Sequence, residues 1–206
     1  MYETREMILP KSHQVVDEYH LVVQAQQGDV VAFEMLYKRY ASRICLYLTR
    51  IVGNDAIGCE LAQETFIKAW ESLRDLQDPS RFAAWLYRIA THKAYNHQHR
   101  MKLFSMIPWE EYNRGGEEEP SMAGPEEQVE ETELLKAALA GVSLTYRPCL
   151  ILYVIEELPQ RHIAERLGIK ESCVSKYVSR GKEELRQIYF RLTNQQKNVT
   201  GGKRDR

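Results

Sequence analysis

Three groups of residues in this 206-residue chain have types and spacings that could do chemistry. The first is ELAQETF, residues 60–66, where Glu60 and Glu64 stand one helical turn apart. Paired carboxylates suit general acid/base work, but that reading needs a nucleophile, a metal cluster or a glycine-rich phosphate loop beside them, and none accompanies this pair. On a helix Glu60, Gln63, Glu64 and Ile67 form a polar face with one apolar member, as a protein-binding surface would. The second group is FAAWLYRIATHKAYNHQHR, residues 82–100. Leu86, Ile89 and Ala90 fit a buried stripe, while Arg81, Trp85, Arg88, His92, Tyr95 and His99 share another face. Interleaved rings and cations suit a nucleic-acid single strand: bases stack at about 1–3 kcal/mol each while the cations follow the backbone. Trp85, a large apolar ring, is expected to be buried instead. His92, His97 and His99 do not share one helical face, so no metal site is expected.

The third group is the segment QRHIAERL, GIKES, CVSKYVSRGKEELR, which reads as helix, turn, helix. Gly168 falls where a tight turn between crossing helices needs positive φ. On the second helix Val174, Val178, Gly181 and Leu185 point inward. Ser175, Ser179, Lys182 and Arg186 lie opposite, with Ser172, Lys176 and Arg180 beside them. Short serines approach base edges, and Lys and Arg reach guanine edges or phosphates. This is the pattern of a helix-turn-helix that reads duplex DNA.

The elements that position these groups follow from apolar residues recurring at three and four positions, the helix period. No alternating run flanked by hairpin turns occurs, so the fold class is all-α: two small helical domains joined by a flexible acidic linker, the second containing the helix-turn-helix. Helices are predicted over residues 17–27, 31–52, 57–73 and 81–102, with a turn at Gly53-Asn54-Asp55 and a helix start at Asp78-Pro79. Phe33, Leu36, Tyr37, Tyr40, Ile44, Tyr47, Leu48 and Ile51 are expected inward on the second helix. Leu61, Phe66, Ala69, Trp70 and Leu73 are expected inward on the third. Four more helices are predicted over 133–139, 146–156, 160–167 and 171–192. The expected organisation is an N-terminal extension 1–14, a first domain 15–103, an acidic linker 104–132, a second domain 133–192 and a frayed polar tail 193–206.

Charge sharpens this division. The net charge is only −1. Residues 110–133 hold ten Glu against one Arg, a net of −9, so the rest of the chain carries +8. That excess concentrates at 81–102, with five Lys or Arg and no acid, and at 159–206, with twelve against five acids. Two basic segments flanking an acidic one suggest two surfaces that meet phosphate. The four cysteines, Cys45, Cys59, Cys149 and Cys173, show neither C-x-x-C nor zinc-finger spacing. They are expected as free thiols in a reducing compartment, and nothing argues for a redox role for Cys173. The longest apolar run, 149–155, is too short to cross a bilayer and the N-terminus lacks a secretory pattern, so a cytoplasmic protein without membrane insertion is expected.

In order, DEYHLVVQAQQGDVVAFEMLYKRY, ELAQETFIKAWESL and RFAAWLYRIA resemble the amino-terminal conserved domain of the sigma-70 family of RNA polymerase sigma factors. QRHIAERLGIKESCVSKYVSRGKEELR resembles the carboxy-terminal domain of its extracytoplasmic-function group. The resemblance covers about three quarters of the chain, around a linker placed as in the family. It implies that Glu60, Leu61, Gln63 and Glu64 bind the β′ clamp helices of core polymerase. It implies that the loop and helix start carrying Asp78, Ser80, Arg81 and Phe82 capture a flipped base of the minus-ten element. Arg88, His92, Lys93 and Asn96 match the helix that meets the same region. Ser172, Ser175, Lys176, Ser179, Arg180 and Lys182 match the reader of the minus-thirty-five element. The implied partners are core polymerase (β′ clamp helices and β flap), promoter DNA as duplex and single strand, and an anti-sigma factor. The implied role is a non-enzymatic initiation factor without cofactors that directs polymerase to promoters and favours melting. The alternative is a helix-turn-helix regulator that acts without polymerase. The chain departs from the family where Ser172-Cys173 replaces a frequent Gly-Thr, Tyr177 an Arg, His92 an Asn, and Cys59-Glu60 a Glu-Asp pair, so a promoter preference does not transfer.

Overall fold

A computed structural model of the chain describes residues 17–106 and 126–201. Among the described residues there is no strand. The helices are α1 (Glu18–Gln26), α2 (Val30–Val52), α3 (Asp55–Ser72), α4 (Phe82–Met106), α5 (Glu126–Gly141), α6 (Arg147–Val154), α7 (Gln160–Leu167) and α8 (Glu171–Gly201), with 3₁₀ turns at Leu73–Asp75 and Pro79–Arg81 between α3 and α4.

Local chemistry sets these boundaries. The Asp29 carboxylate accepts from the Val31 and Ala32 amides at 2.8 and 3.2 Å, satisfying donors that the first turn of α2 leaves free. Gly53 closes α2 in the left-handed region at φ 75°, and the Asn54 side chain then caps α3 by accepting from Ile57 N at 2.9 Å. The resulting α2–α3 hairpin crosses closely. A Cβ on Gly58 would lie 2.5 Å from the backbone of Thr49, so only glycine fits there.

Leu36, Ile44, Leu48, Leu61, Phe66 and Ala69 fill the space between α2 and α3, with Phe82, Leu86 and Ala90 of α4 against them. The buried Tyr47 hydroxyl donates to Thr91 Oγ1 at 2.8 Å, and Thr91 in turn donates to the Tyr87 carbonyl, so both of these hydroxyls are satisfied in the core. In the second half, Leu150, Ile151 and Leu152 of α6 meet Ile163 and Ala164 of α7 and Val174 and Val178 of α8. Gly168, at φ 66°, makes the turn from α7 to α8.

The two halves pack on each other and share one apolar cluster. Arg147, at the start of α6 and only 4% exposed, holds the junction. Its guanidinium donates to the carbonyls of Ile51 at the end of α2 and of Ala140 and Val142 at the end of α5. A cation at the carbonyl ends of two helices meets both their unsatisfied acceptors and their dipoles.

In its helix bounds and its cysteines the structure departs from the sequence expectations in three ways. α4 runs on to Met106 and α5 starts at Glu126, so both ends of the segment expected as linker are helical; glutamates are good helix formers once a partner face exists. Residues 107–125 lie outside the described residues, as do 1–16 and 202–206. Likewise α8 continues to Gly201 through part of the tail expected to fray, because neither Gly nor Pro interrupts it after Gly181. Finally, Cys45 and Cys59 are not free thiols. A disulfide joins them across the α2–α3 hairpin with their Cα atoms 4.8 Å apart, while Cys149 and Cys173 are free. The hairpin, not a short sequence motif, brings the pair together.

Candidate nucleic-acid interface

Three surfaces carry the residues singled out above. On α8, Ser172, Ser175, Lys176, Ser179, Arg180 and Lys182 are all exposed, and Val174, Val178 and Gly181 face the core. Gly181 lets α8 approach α6, since a Cβ there would meet the Tyr146 and Leu150 side chains at 3.3–3.4 Å. Two of the cations are pre-placed by rings. Arg180 donates to the Tyr146 hydroxyl at 3.1 Å, and the Lys182 ammonium sits 4.9 Å from the centre of the Tyr153 ring. The polar face of α8 is open to solvent, whereas the turn before it lies against α4, since a Cβ on Gly168 would stand 3.2 Å from Arg88 Nε.

The second surface is the loop before α4 and the outer side of α4. The Asp78 carboxylate accepts from the Ser80 hydroxyl at 2.6 Å and the Ser80 amide at 3.0 Å, with Arg81 Nε 3.3 Å away. These bonds, the Ser80 hydroxyl first, hold its carboxyl below the usual carboxylate range. Gln26 on α1 fixes the base of the loop by donating to the carbonyls of Leu73 and Leu76 at 3.0 and 2.7 Å. Gln26 was missed by sequence reasoning, and its polar side chain at the end of an apolar helix was the available signal. Phe82 is fully buried and can only support the loop from beneath. Arg88, His92 and Asn96 are exposed along α4, and Trp85 is half-buried, between the two fates considered for it. Trp85, Arg88, His92 and Lys93 line one groove of about 430 Å³ that also reaches Lys68. Lys93 is engaged: its ammonium lies 2.8 Å from the Glu64 carboxylate on α3, so two residues expected to serve different partners neutralise each other here.

α7 and the loop before α6 pack along α4. Arg88 Nη2 lies 3.4 Å from the Glu165 carbonyl, Arg166 stands 4.4 Å from the centre of the Tyr87 ring, and the Tyr95 hydroxyl donates to the Leu144 carbonyl at 2.7 Å. Partial burial raises the Tyr95 phenol, which therefore remains a donor.

The third surface is the outward ridge of α3. Glu60 and Gln63 are exposed and Glu64 half-exposed, but Leu61 is 2% exposed and belongs to the core. Tyr37 and Trp70, expected inward, are instead 41% and 38% exposed. With Phe33, Phe66 and the 61%-exposed Ile67 they form an apolar groove of about 430 Å³, in which Phe33 meets Trp70 and Tyr37 meets Phe66 with ring centres 4.8 Å apart. The stripe of rings on α2 is wider than the α2–α3 contact can cover, which leaves its edge in solvent. A second apolar groove, about 400 Å³, lies between α5, α6 and α8 and is walled by Leu135, Leu139, Val154, Ile155 and Leu185. Exposed apolar clusters of this kind mark protein contacts. Among the described residues no group of His, Cys, Asp or Glu is placed to hold a metal, and no helix is long and apolar enough to cross a membrane.

Residues 36–102 match Sigma-70 region 2, and residues 132–185 match Sigma-70, region 4. Over 159 residues the chain is 30% identical to RNA polymerase sigma factor YlaC of Bacillus subtilis, covering 76% of this chain and 91% of that protein. It is 31% identical over 165 residues to ECF RNA polymerase sigma factor SigE of Mycolicibacterium smegmatis, covering 78% of this chain but only 62% of the length of that relative. The fold is similar, with a TM-score of 0.58 and 21% identity, to CnrH solved in complex with the cytosolic domain of CnrY, covering 83% of this chain and 96% of that one.

Proposed function

From the premise that the chain belongs to the sigma-70 family of RNA polymerase sigma factors, in its extracytoplasmic-function group, we propose that it directs core polymerase to specific promoters and favours their melting. The observation that carries this reading is the pairing of two surfaces in one chain. One is a ring-lined ridge on α3 that stands exposed among the described residues, and the other is a helix-turn-helix whose polar face is exposed.

The α3 ridge docks on the β′ clamp helices through Glu60, Gln63, Glu64, Ile67 and Trp70, with Leu61 supporting it from the core. The groove between α5 and α8 takes an apolar segment of the β flap. α8 reads upstream duplex through Ser172, Ser175, Lys176, Ser179, Arg180 and Lys182. The loop at Asp78, Ser80 and Arg81, held by Gln26 and backed by Phe82, receives an unstacked base of the non-template strand. Arg88, His92, Lys93 and Asn96 follow that strand along α4. Capturing a base offsets an unstacking cost of a few kcal/mol and so favours the melted state. Because α7 covers part of α4, these contacts require the two halves to separate, and docking on polymerase supplies the energy. Freeing Lys93 for phosphate similarly requires Glu64 to find a partner on polymerase.

The factor itself performs no bond chemistry, needs no cofactor, and works in the cytoplasm, where polymerase is. An anti-sigma protein covering the polymerase-binding faces is the expected restraint. A helix-turn-helix regulator acting alone would have no use for the exposed α3 ridge. Run-off transcription with purified core polymerase and a promoter library tests the proposal. Initiation at a defined subset of promoters is expected. No initiation from any promoter, together with no binding to core, would overturn it.

A further inference from the structure

The disulfide between Cys45 and Cys59 has no part in the function above, yet its position bears on it. Cys59 is exposed on α3, and Cys45 is half-buried on α2. Counting along α3, Cys59, Gln63, Ile67 and Trp70 stand at steps of four, four and three, so they share one ridge of the helix. The only exposed cysteine of the pair therefore sits on the surface through which the chain is proposed to dock. A thiol there is open to any small disulfide in solution, and an adduct the size of a tripeptide would stand on that ridge.

The hairpin geometry supplies the remedy. The Cα atoms of Cys45 and Cys59 are 4.8 Å apart, inside the range that a disulfide spans without backbone movement. The close crossing at Gly58 and Thr49 fixes that spacing between the two helices. We propose that Cys45 and Cys59 form a thiol–disulfide exchange site in which Cys59 is the attacked, exposed partner and Cys45 the resolving one, so that adducts of low-molecular-weight disulfides on the docking ridge are cleared. This role of the site rests on the proposed polymerase docking.

The chemistry balances in two steps. The Cys59 thiolate attacks one sulfur of a small disulfide, forming a mixed disulfide and releasing one small thiolate, which takes the proton Cys59 lost. The Cys45 thiolate then attacks Cys59 Sγ, forming the internal bridge and releasing the second small thiolate, which takes the proton from Cys45. Two protein thiols are oxidised and one small disulfide is reduced to two thiols. The oxidised chain carries only the compact bridge between α2 and α3, and the ridge is clear. The two other cysteines cannot do this for Cys59. Cys149 is buried, and both it and Cys173 lie in the second half of the chain, on α6 and α8.

The test uses the full chain with Cys173→Ser throughout, so that the other accessible thiol does not contribute. The reduced protein is exposed to oxidised glutathione at mildly alkaline pH, alkylated at intervals and read by intact mass and peptide mapping. The chain with both cysteines is expected to end bridged, two hydrogens lighter and without glutathione. Cys45→Ser is expected to retain one glutathione on Cys59, and Cys59→Ser to gain adduct on Cys45 at least about tenfold more slowly, as the half-buried thiol is the poorer target. Glutathione persisting on Cys59 when Cys45 is present, or equal rates at the two cysteines, would overturn the exchange site. Core-polymerase binding is then measured on the same samples. Affinity is expected to fall about tenfold or more for glutathionylated Cys45→Ser against its reduced form, and to change less than about twofold on bridging. An adduct that leaves binding intact would overturn the guarding role. Failure of every reduced form to bind core would instead refute the docking reading, while the masses still decide the exchange chemistry.

Discussion

Replacing Arg147 with Met tests whether a buried cation without a carboxylate partner holds the two halves together. The guanidinium donates to three main-chain carbonyls, those of Ile51, Ala140 and Val142. Hydrogen bonds to a charged group contribute about 1.5–3 kcal/mol each, or roughly 5–9 kcal/mol gross for three acceptors. Against this stands the cost of burying the charge, which pulls the guanidinium down to about 10. That lowering corresponds to about 3 kcal/mol. The balance leaves Arg147 stabilising by about 2–6 kcal/mol, since Met keeps the apolar stem but strands the carbonyls. For a chain of this size the midpoint of thermal unfolding, followed by far-ultraviolet circular dichroism, is expected to fall by about 5–15 °C. Arg147→Lys, which brings one ammonium where a fork reached three oxygens, is expected to fall between the two. An unchanged or higher midpoint for Arg147→Met would show that desolvation outweighs the hydrogen bonds, and the reasoning about the junction would be wrong.

Four further outcomes are expected. Ile67→Glu, at a side chain 61% exposed, should weaken core-polymerase binding by about 2 kcal/mol in a competition assay while leaving the melting midpoint unchanged. Lys176→Ala combined with Arg180→Ala should abolish selection of the upstream element in footprinting, with core binding intact and a shallower salt dependence of DNA binding. Gly58→Ala forces a Cβ to within 2.5 Å of Thr49 backbone and should cost about 3 kcal/mol or more in denaturant unfolding. Burial pushes the Cys149 thiol up to about 12, so it stays protonated through neutral and mildly alkaline pH, and a thiolate-selective alkylating reagent should label it only at the rate of unfolding until the pH nears that value.

The helix-turn-helix was legible almost to the residue, because its signals are local. Gly168 marks the left-handed turn, and Val174 and Val178 mark the inward face of α8, so the exposed polar face followed by helical geometry. The α3 ridge was legible only in part. Glu60 and Gln63 were placed outward by their polarity, but Tyr37 and Trp70 were read as core because periodicity reports that a ring is on the apolar stripe, not whether a neighbouring helix is wide enough to cover it. Leu61 and Phe82 show the reverse: the family motif lends them a binding role, and the structure gives them a burial role beneath the surface. The Cys45–Cys59 pair and the Arg147 junction were not legible at all. Each depends on which helices meet in space, with the cysteines 14 positions apart in sequence and Ile51 and Arg147 96 positions apart.

The packing of α7 on α4 bears on how such a chain handles single strands by itself. Besides the long contacts of Arg81 and Arg88 to Glu165, at 3.7 and 3.4 Å, these contacts cross the junction: Arg50 to Glu156 at 3.2 Å, Tyr95 to the Leu144 carbonyl, Arg166 on the Tyr87 ring, and Arg147 to the Ile51 carbonyl. The partly exposed ion pair contributes at most about 1 kcal/mol, the neutral hydrogen bond about 1, the cation over the ring about 1, and the charged bond at the junction about 2. Separating the halves therefore costs several kcal/mol, and the open form is correspondingly rare in the free chain. A strand that binds only the open form meets its intrinsic affinity divided by that rarity, a loss of about tenfold for every 1.4 kcal/mol. A partner that binds the α3 ridge and the α5–α8 groove at a fixed separation removes the penalty at once. Preference for promoter DNA only in the company of polymerase then needs no special inhibitory segment, because the contacts that make the free chain compact already set it.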